Sequence, residues 1–370
     1  MKVYSPDFFK DFHCTGSHCR DNCCRMGWDI EIDQATFERY EALGDGLCGH
    51  ISSENGEHYI MQENGQCPFL NKKGLCSVLL SYGEDSISEI CAEHPRFYQW
   101  FGSYKEAGTG LCCEESARLW LTHAGKIGFC EWETDEADDG LEFDGGLLSA
   151  VLGARGALIR LLQGGLSLSQ KLKALLIFGL NAQELCEQDE AQGFCEVAEV
   201  FGDEARVRGL VGQLGGGAEY EDKLSACGEV LDCFEGLDYM KGLFPAALHG
   251  IRDRLGEIIR GADAFDKAFP EAEKQLCAVA VYNIFRYVIE CARGAECLPF
   301  MVTSILNVWF VRLWSIMLWL DGKYGFDALL GAVKEYSKEV EYSDNTAVLW
   351  EDVYTDSRLC ARNIQVISEV

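Results

Sequence analysis

Four cysteines fall within eleven positions at Cys14-Thr-Gly-Ser-His-Cys19-Arg-Asp-Asn-Cys23-Cys24, and Gly27-Trp28 follows almost at once. More thiols arrive at Cys67-Pro-Phe-Leu70, Gly74-Leu-Cys76, Cys91-Ala-Glu-His-Pro-Arg96 and Cys112-Cys113, so ten of the 19 cysteines lie in the first third of the chain. Thiols crowded between turn-forming Gly, Pro, Asn and Asp suit a metal ion or an iron–sulfur cluster. The competing use is a disulfide framework, or cysteine as a small core hydrophobe.

Three features oppose disulfides. Met1-Lys-Val-Tyr-Ser-Pro-Asp does not open like a signal peptide. An odd total of 19 leaves one thiol unpaired. A chain of 370 residues has mass enough for a core without staples. The expectation is a cytoplasmic protein, where reducing conditions favour thiols as ligands.

The formal charge of −28, from 32 basic and 60 acidic residues, opposes binding to phosphate backbones and to anionic membrane surfaces. No nucleic-acid or membrane partner is therefore expected, and a protein partner remains open.

Along the chain, Tyr4, Phe8, Phe9 and Phe12 are expected to pack over the cysteines. Trp28-Asp-Ile-Glu-Ile-Asp33 alternates like a short strand, and Ala35–Leu43 reads as a helix capped by Asp33. Residues 44–66 read as a loop or weak hairpin. Residues 67–76 read as two short strands joined by the Asn71–Gly74 turn. Short helices are expected at Ser77–Tyr82 and Ile87–Ala92, the second stopped by Pro95. Between Glu131 and Asp144 there are eight acidic and no basic residues, which reads as a solvated linker.

Beyond it the pattern turns helical over Leu147–Leu162, Leu168–Gln188, Glu196–Val211, Glu221–Phe234, Phe244–Arg260, Pro270–Arg293, Pro299–Leu320, Phe326–Val340 and Asn345–Val366, with a glycine-rich break at 212–218. The predicted fold is mainly α. A cysteine-rich α+β region holding a metal cluster (1–130) is followed by an acidic linker (131–145) and an α-helical bundle (146–370). Pro299–Leu320 is long enough to span a bilayer. Its polar residues Ser304, Asn307, Arg312 and Ser315 nevertheless share one sector of roughly 140° at 100° per residue, which favours a helix packed in protein.

Several nucleotide and hydrolase signatures are missing. No G-x-G-x-x-G follows a strand, and there is no Walker A loop, H-E-x-x-H or G-x-S-x-G. A C-x3-C-x2-C motif fails because Met26 stands at the third position after Cys19 and Cys23.

Taken in order, Phe12-x-Cys14, Cys19-x3-Cys23-Cys24 with Gly27-Trp28, Cys67-Pro-Phe-Leu70, Gly74-Leu-Cys76, Cys91-x-x-x-Pro95-Arg96 and Cys113-x-Glu115-x-Ala117-Arg118-Leu119 resemble the flagellin lysine-N-methylases. Those proteins carry a cysteine-cluster region shared with small zinc- or iron-binding proteins. A weaker likeness continues in Asn283-Ile-Phe-Arg-Tyr287 and Tyr336-Ser-Lys-Glu-Val-Glu-Tyr342. One departure is Glu114, where the family usually has proline. The resemblance implies methyl transfer from S-adenosylmethionine to lysine ε-amines of flagellin, with a [4Fe–4S] cluster. It marks Cys14, Cys19, Cys23, Cys24, Cys67, Cys76, Cys91 and Cys113 as the metal-site thiols.

Eight candidates allow one four-ligand cluster with supporting thiols, or two four-ligand sites, and zinc is the alternative metal. Adjacent Cys23 and Cys24 would point apart in extended backbone. Cys48, Cys112 and the nine later cysteines read as buried thiols. His94, beside Pro95-Arg96, is a candidate ligand, with a hydrogen-bonded structural histidine the favoured reading because no second spaced histidine accompanies it, and Arg96 and Arg118 read as cations offsetting cluster charge. Glu93, Tyr98, Tyr104 and Glu115 are candidate proton acceptors. Trp28, Phe97, Trp100 and Phe101 are candidate adenine-stacking rings, with local packing the competing role for Trp28. The rival to an enzyme is a zinc- or cluster-stabilised protein-binding module; a redox protein is a third possibility.

Overall fold

The computed structural model describes the chain except for residues 29, 138, 139, 141, 142, 187–189, 216 and 241. The first third contains β1 (Lys2–Pro6), β2 (Ile30–Ile32), α1 (Gln34–Leu43), β3 (Ile51–Glu54), β4 (Glu57–Ile60), α2 (Ser77–Tyr82), α3 (Glu89–Glu93), β5 (Arg96–Phe101), β6 (Tyr104–Thr109), α4 (Glu114–Thr122) and β7 (Phe129–Glu133). The helical part comprises α5 (Gly145–Leu162), α6 (Leu168–Cys186), α7 (Glu190–Phe201), α8 (Glu204–Gln213), α9 (Tyr220–Glu235), α10 (Leu243–Asp253), α11 (Leu255–Ala268), α12 (Pro270–Tyr287), α13 (Cys297–Leu320), α14 (Phe326–Tyr336), α15 (Asn345–Thr355) and α16 (Ala361–Ile367). The mainly helical reading holds, with the strands gathered in the N-terminal part.

Local chemistry explains the cysteine-rich lobe. The Asp33 side chain accepts from Thr36 N at 2.7 Å and starts α1, as its position before the helix predicts. Asn55 and Gly56 both have positive φ, +55° and +87°, and close β3 onto β4 as a hairpin. The 44–66 stretch is thus better ordered than its weak periodicity suggests. Residues 67–76 form one isolated bridge, Leu70 to Cys76, and not two strands, because the Asn71 side chain spends its oxygen on Lys73 N and Leu75 N. These elements enclose a small core of Ile32, Tyr40, Leu47, Ile51, Ile60, Phe69 and Val78.

A second sheet, ordered β5-β6-β1-β7, belongs to the larger core. β1 runs parallel to β6 and antiparallel to β7. The acidic stretch therefore begins inside a strand, at Glu131, Trp132 and Glu133. Residues 138, 139, 141 and 142 of that stretch lie outside the described residues. Phe8, Leu111 and Trp120 join the same apolar core as the bundle helices. Beneath the sheet, the buried Arg155 of α5 pairs with the buried Glu106 of β6, Nη1 to Oε2 at 2.7 Å.

Several long helical patterns are broken in two. Asp203 caps α8 through Ala205 N and Arg206 N, dividing the 196–211 stretch at Gly202-Asp203. Arg254 separates α10 from α11, and α12 tightens into a 3₁₀ turn over Val288–Arg293. After α14, Ser337–Glu341 forms a π turn. By length and composition α5 and α13 could each cross a membrane, but α13 is almost wholly enclosed by protein. Its polar stripe is paired there: Arg312 grips Asp266 at 2.6 and 2.9 Å and donates to Val370 O, while Ser304 and Ser315 bond to carbonyls one turn back.

Candidate metal centre

The eight cysteines Cys14, Cys19, Cys23, Cys24, Cys67, Cys76, Cys91 and Cys113 all line one cavity of about 190 Å³. They arrive on five separate pieces of chain. Cys14 and Cys19 flank the 3₁₀ turn Gly16–His18, and Cys23 and Cys24 sit on the next one, Cys23–Arg25. Cys76 and Cys113 immediately precede α2 and α4, and Cys91 lies on α3. Backbone and amide bonds tie these pieces together. Asn22 Oδ1 accepts from Cys24 N at 2.9 Å, its Nδ2 donates to Gly74 O at 2.9 Å, and Cys67 N donates to Cys24 O at 2.8 Å. Cys48 and Cys112 do not line the cavity.

Cys23 and Cys24 correct the expectation that neighbours diverge. They sit on a 3₁₀ turn and not on extended backbone, so both side chains reach the same cavity and bond to each other. That contact holds the Cys23 thiol below the usual range and drives Cys24 far above it. Burial raises four more: Cys67 is pushed up to about 11 and Cys113 to about 12, and Cys19 and Cys91 move the same way. Such thiols resist ionisation until a cation offsets their desolvation.

Among the described residues, no three His, Cys, Asp or Glu side chains are gathered so as to hold a single metal ion. The thiols stand around the cavity wall. Eight thiols on one wall are the donor type that zinc and iron–sulfur clusters both take. The donor set fits such a group in number and in chemistry.

His94 also lines the cavity, and its Nε2 is buried with no hydrogen-bond partner. The expected hydrogen-bonded structural histidine is therefore not what is found. Burial pushes its pKa down to about 4, leaving a neutral imidazole. Of the early aromatics, Phe12 lines the cavity. Tyr4 stacks instead on Phe129, Phe8 meets Trp120, and Phe9 meets Trp132, because β1 carries them into the four-stranded sheet.

The remaining candidates are placed elsewhere. Arg96 covers the Phe12 ring at 5.0 Å, and Arg118 pairs with Glu115 one turn away. Tyr98 donates to Glu93 and Tyr104 to Glu106, and none of Glu93, Tyr98, Tyr104 and Glu115 lines the cavity. Phe97 packs under Arg286, Trp100 under Lys105 and Phe101 under Arg293, so these rings are engaged by cations. Trp28 stacks on Tyr342 and meets His94 edge-on.

What sequence reasoning missed is a charged basin of about 400 Å³ beside the thiols, sharing Asp21 and Glu114 with their cavity. Lys334 binds Asp21 and lies 3.3 Å from Glu335, while Arg20 holds Glu114 at 2.8 Å and Asp327 at 3.3 Å. Burial alone would raise the Asp21 pKa, but Lys334 holds it below the usual carboxylate range. Asp21 and Lys334 are 313 positions apart, and only the fold joins them.

The two late segments that carried the weaker family likeness also meet. Arg286 donates to Tyr342 Oη at 2.6 Å and lies 2.9 Å from Glu341, which also accepts from Tyr287 at 2.8 Å. Both segments lie within the stretch that a known family matches. A family model described as the FliB lysine N-methylase C-terminal domain matches residues 155–357, over half of the chain. The chain is 31% identical over 126 residues to the flagellar biosynthetic protein FliU of Salmonella muenchen, covering 31% of this chain and 74% of that protein. It is equally 31% identical over 126 residues to proteins named lysine-N-methylase from Salmonella choleraesuis (strain SC-B67) and Salmonella typhimurium (strain LT2). Those two matches span 31% of this chain and 31% of each relative. No solved structure matches. The chain belongs to the FliB lysine N-methylase family.

Proposed function

We propose that this protein transfers methyl groups from S-adenosylmethionine to lysine ε-amines of a protein substrate, flagellin, in the cytoplasm. In this reading the thiol cavity holds a [4Fe–4S] cluster. The observation that carries it is the meeting of eight family-matched cysteines at one cavity in a member of a lysine N-methylase family.

The eight lining thiols offer more than the four that a cluster needs. When bound, the cluster supplies an iron centre able to accept electrons or act as a Lewis acid. The basin next door does the recognition. Asp21, Glu114, Asp327 and Glu335 face Arg20, Lys334 and Lys338, leaving one excess negative charge to attract a lysine ammonium. An ε-ammonium with a pKa near ~10.4 must lose its proton before its lone pair attacks the methyl carbon. As the N–C bond forms, the S–C bond breaks and S-adenosylhomocysteine leaves. The proton goes to water through the open basin.

The test is methyl transfer from labelled S-adenosylmethionine to purified flagellin, followed by mass spectrometry of its lysines. Methylated lysines in wild type, lost in Cys67→Ser and Cys91→Ser, are expected. No transfer by metal-loaded, folded protein to flagellin would leave the protein-binding module as the better account.

A further inference from the structure

We propose that His94 is a nitrogen donor to the metal site of the thiol cavity, an inference that rests on the reading of that cavity given above. The ring lines the cavity together with the cysteines, and its Nε2 is shut off from water. Neither ring nitrogen makes a hydrogen bond among the described residues. Elsewhere in the chain, His13, His50, His58 and His123 each engage a ring nitrogen with a named oxygen. A buried polar atom without a partner costs stability, so its persistence calls for a ligand.

The ring is also held in place. His94 closes α3 three residues after Cys91, so the two occupy neighbouring positions on one helical turn. Trp28 packs edge-on against it with centroids 5.8 Å apart, and Tyr342 backs Trp28 from the other side. A neutral imidazole fixed by packing at the wall of a thiol-lined cavity is the donor that mixed histidine–cysteine metal sites use. In iron–sulfur centres, histidine in place of thiolate removes negative charge and raises the reduction potential. The assignment gives the cavity a donor set of sulfur plus one nitrogen.

The experiment is pulsed electron paramagnetic resonance on the full chain, purified anaerobically and reduced, with natural-abundance and ¹⁵N-histidine protein compared. The expected result is a nitrogen hyperfine coupling that changes with ¹⁵N labelling and disappears in His94→Gln, with the midpoint potential of the variant moving down. Where His94→Gln fails to fold, the labelled protein carrying His18→Gln keeps the signal if His94 is its source and loses it if His18 is. A metal-loaded protein showing sulfur donors alone, or a nitrogen signal unchanged in His94→Gln, overturns the histidine assignment while leaving the cluster in place. If the bound metal is zinc, X-ray absorption at the zinc edge reads the same nitrogen. A protein that binds neither metal overturns both readings.

Discussion

Trp28 lies flat against Tyr342, their rings 6.0 Å apart and 18° from parallel, so the cysteine loop and the π turn after α14 support each other across 314 positions of sequence. Tyr342 is locked in turn by Arg286. Its hydroxyl lies against Gly110, where an added Cβ would stand 1.8 Å from the oxygen. The Gly110→Ala variant must displace the packed Tyr342 ring, and a loss of ~1–3 kcal/mol is expected, as for overpacked cores. Urea unfolding checks it; an unchanged midpoint would show that this contact does not clamp the cysteine lobe.

The Arg155–Glu106 pair is buried on both sides. Replacing Arg155 with Met strands the carboxylate, and a cost of ~3–5 kcal/mol is expected. The double variant Arg155→Met, Glu106→Gln should recover much of that loss, since no charge is then left unpaired. Chemical denaturation of the three proteins measures the recovery. Equal losses in single and double variants would contradict an electrostatic origin.

Asp33 gives a pH-dependent prediction. Its hydrogen bonds from Thr36, the side-chain one first, hold its carboxyl below the usual carboxylate range. Because the folded pKa is depressed, its contribution is fully present above the unfolded value near ~3.9 and is lost as pH falls through the folded value. At neutral pH, Asp33→Ala should cost about 1 kcal/mol through loss of the cap. The gap between wild type and variant should close in acid, and stability curves at pH 7 and in strong acid read it directly.

The charged basin predicts a kinetic split. Asp21→Asn removes one carboxylate from the wall shared with the thiol cavity and leaves Lys334 with Glu335. The expected result is a rise in KM for lysine substrate of about tenfold, or ~1.4 kcal/mol of binding, with a smaller change in kcat. An unchanged KM would remove the basin from substrate recognition.

The resemblance carried by the cysteine motifs marked the eight thiols that share the cavity and set aside Cys48 and Cys112, neither of which lines it. Helix positions were legible from their periodicity. The β5–β6 hairpin was not. Its second strand buries Lys105 and Glu106 side by side, each held by an ion pair, which erases the polar alternation of a half-exposed strand. The aromatic run Arg96–Phe101 followed by Gly102-Ser103 carried the signal, and was read as rings for a ligand. The basin was invisible because Asp21 and Lys334 come together only through the tertiary fold.

The central claim is that the thiol cavity holds an iron–sulfur cluster, and the most direct measurement is iron, sulfide and zinc analysis with an absorption spectrum of anaerobically purified full-length chain. The account predicts a brown protein with about four irons and about four sulfides per chain. A colourless protein carrying only zinc, or a metal-free protein of undiminished stability, would contradict it.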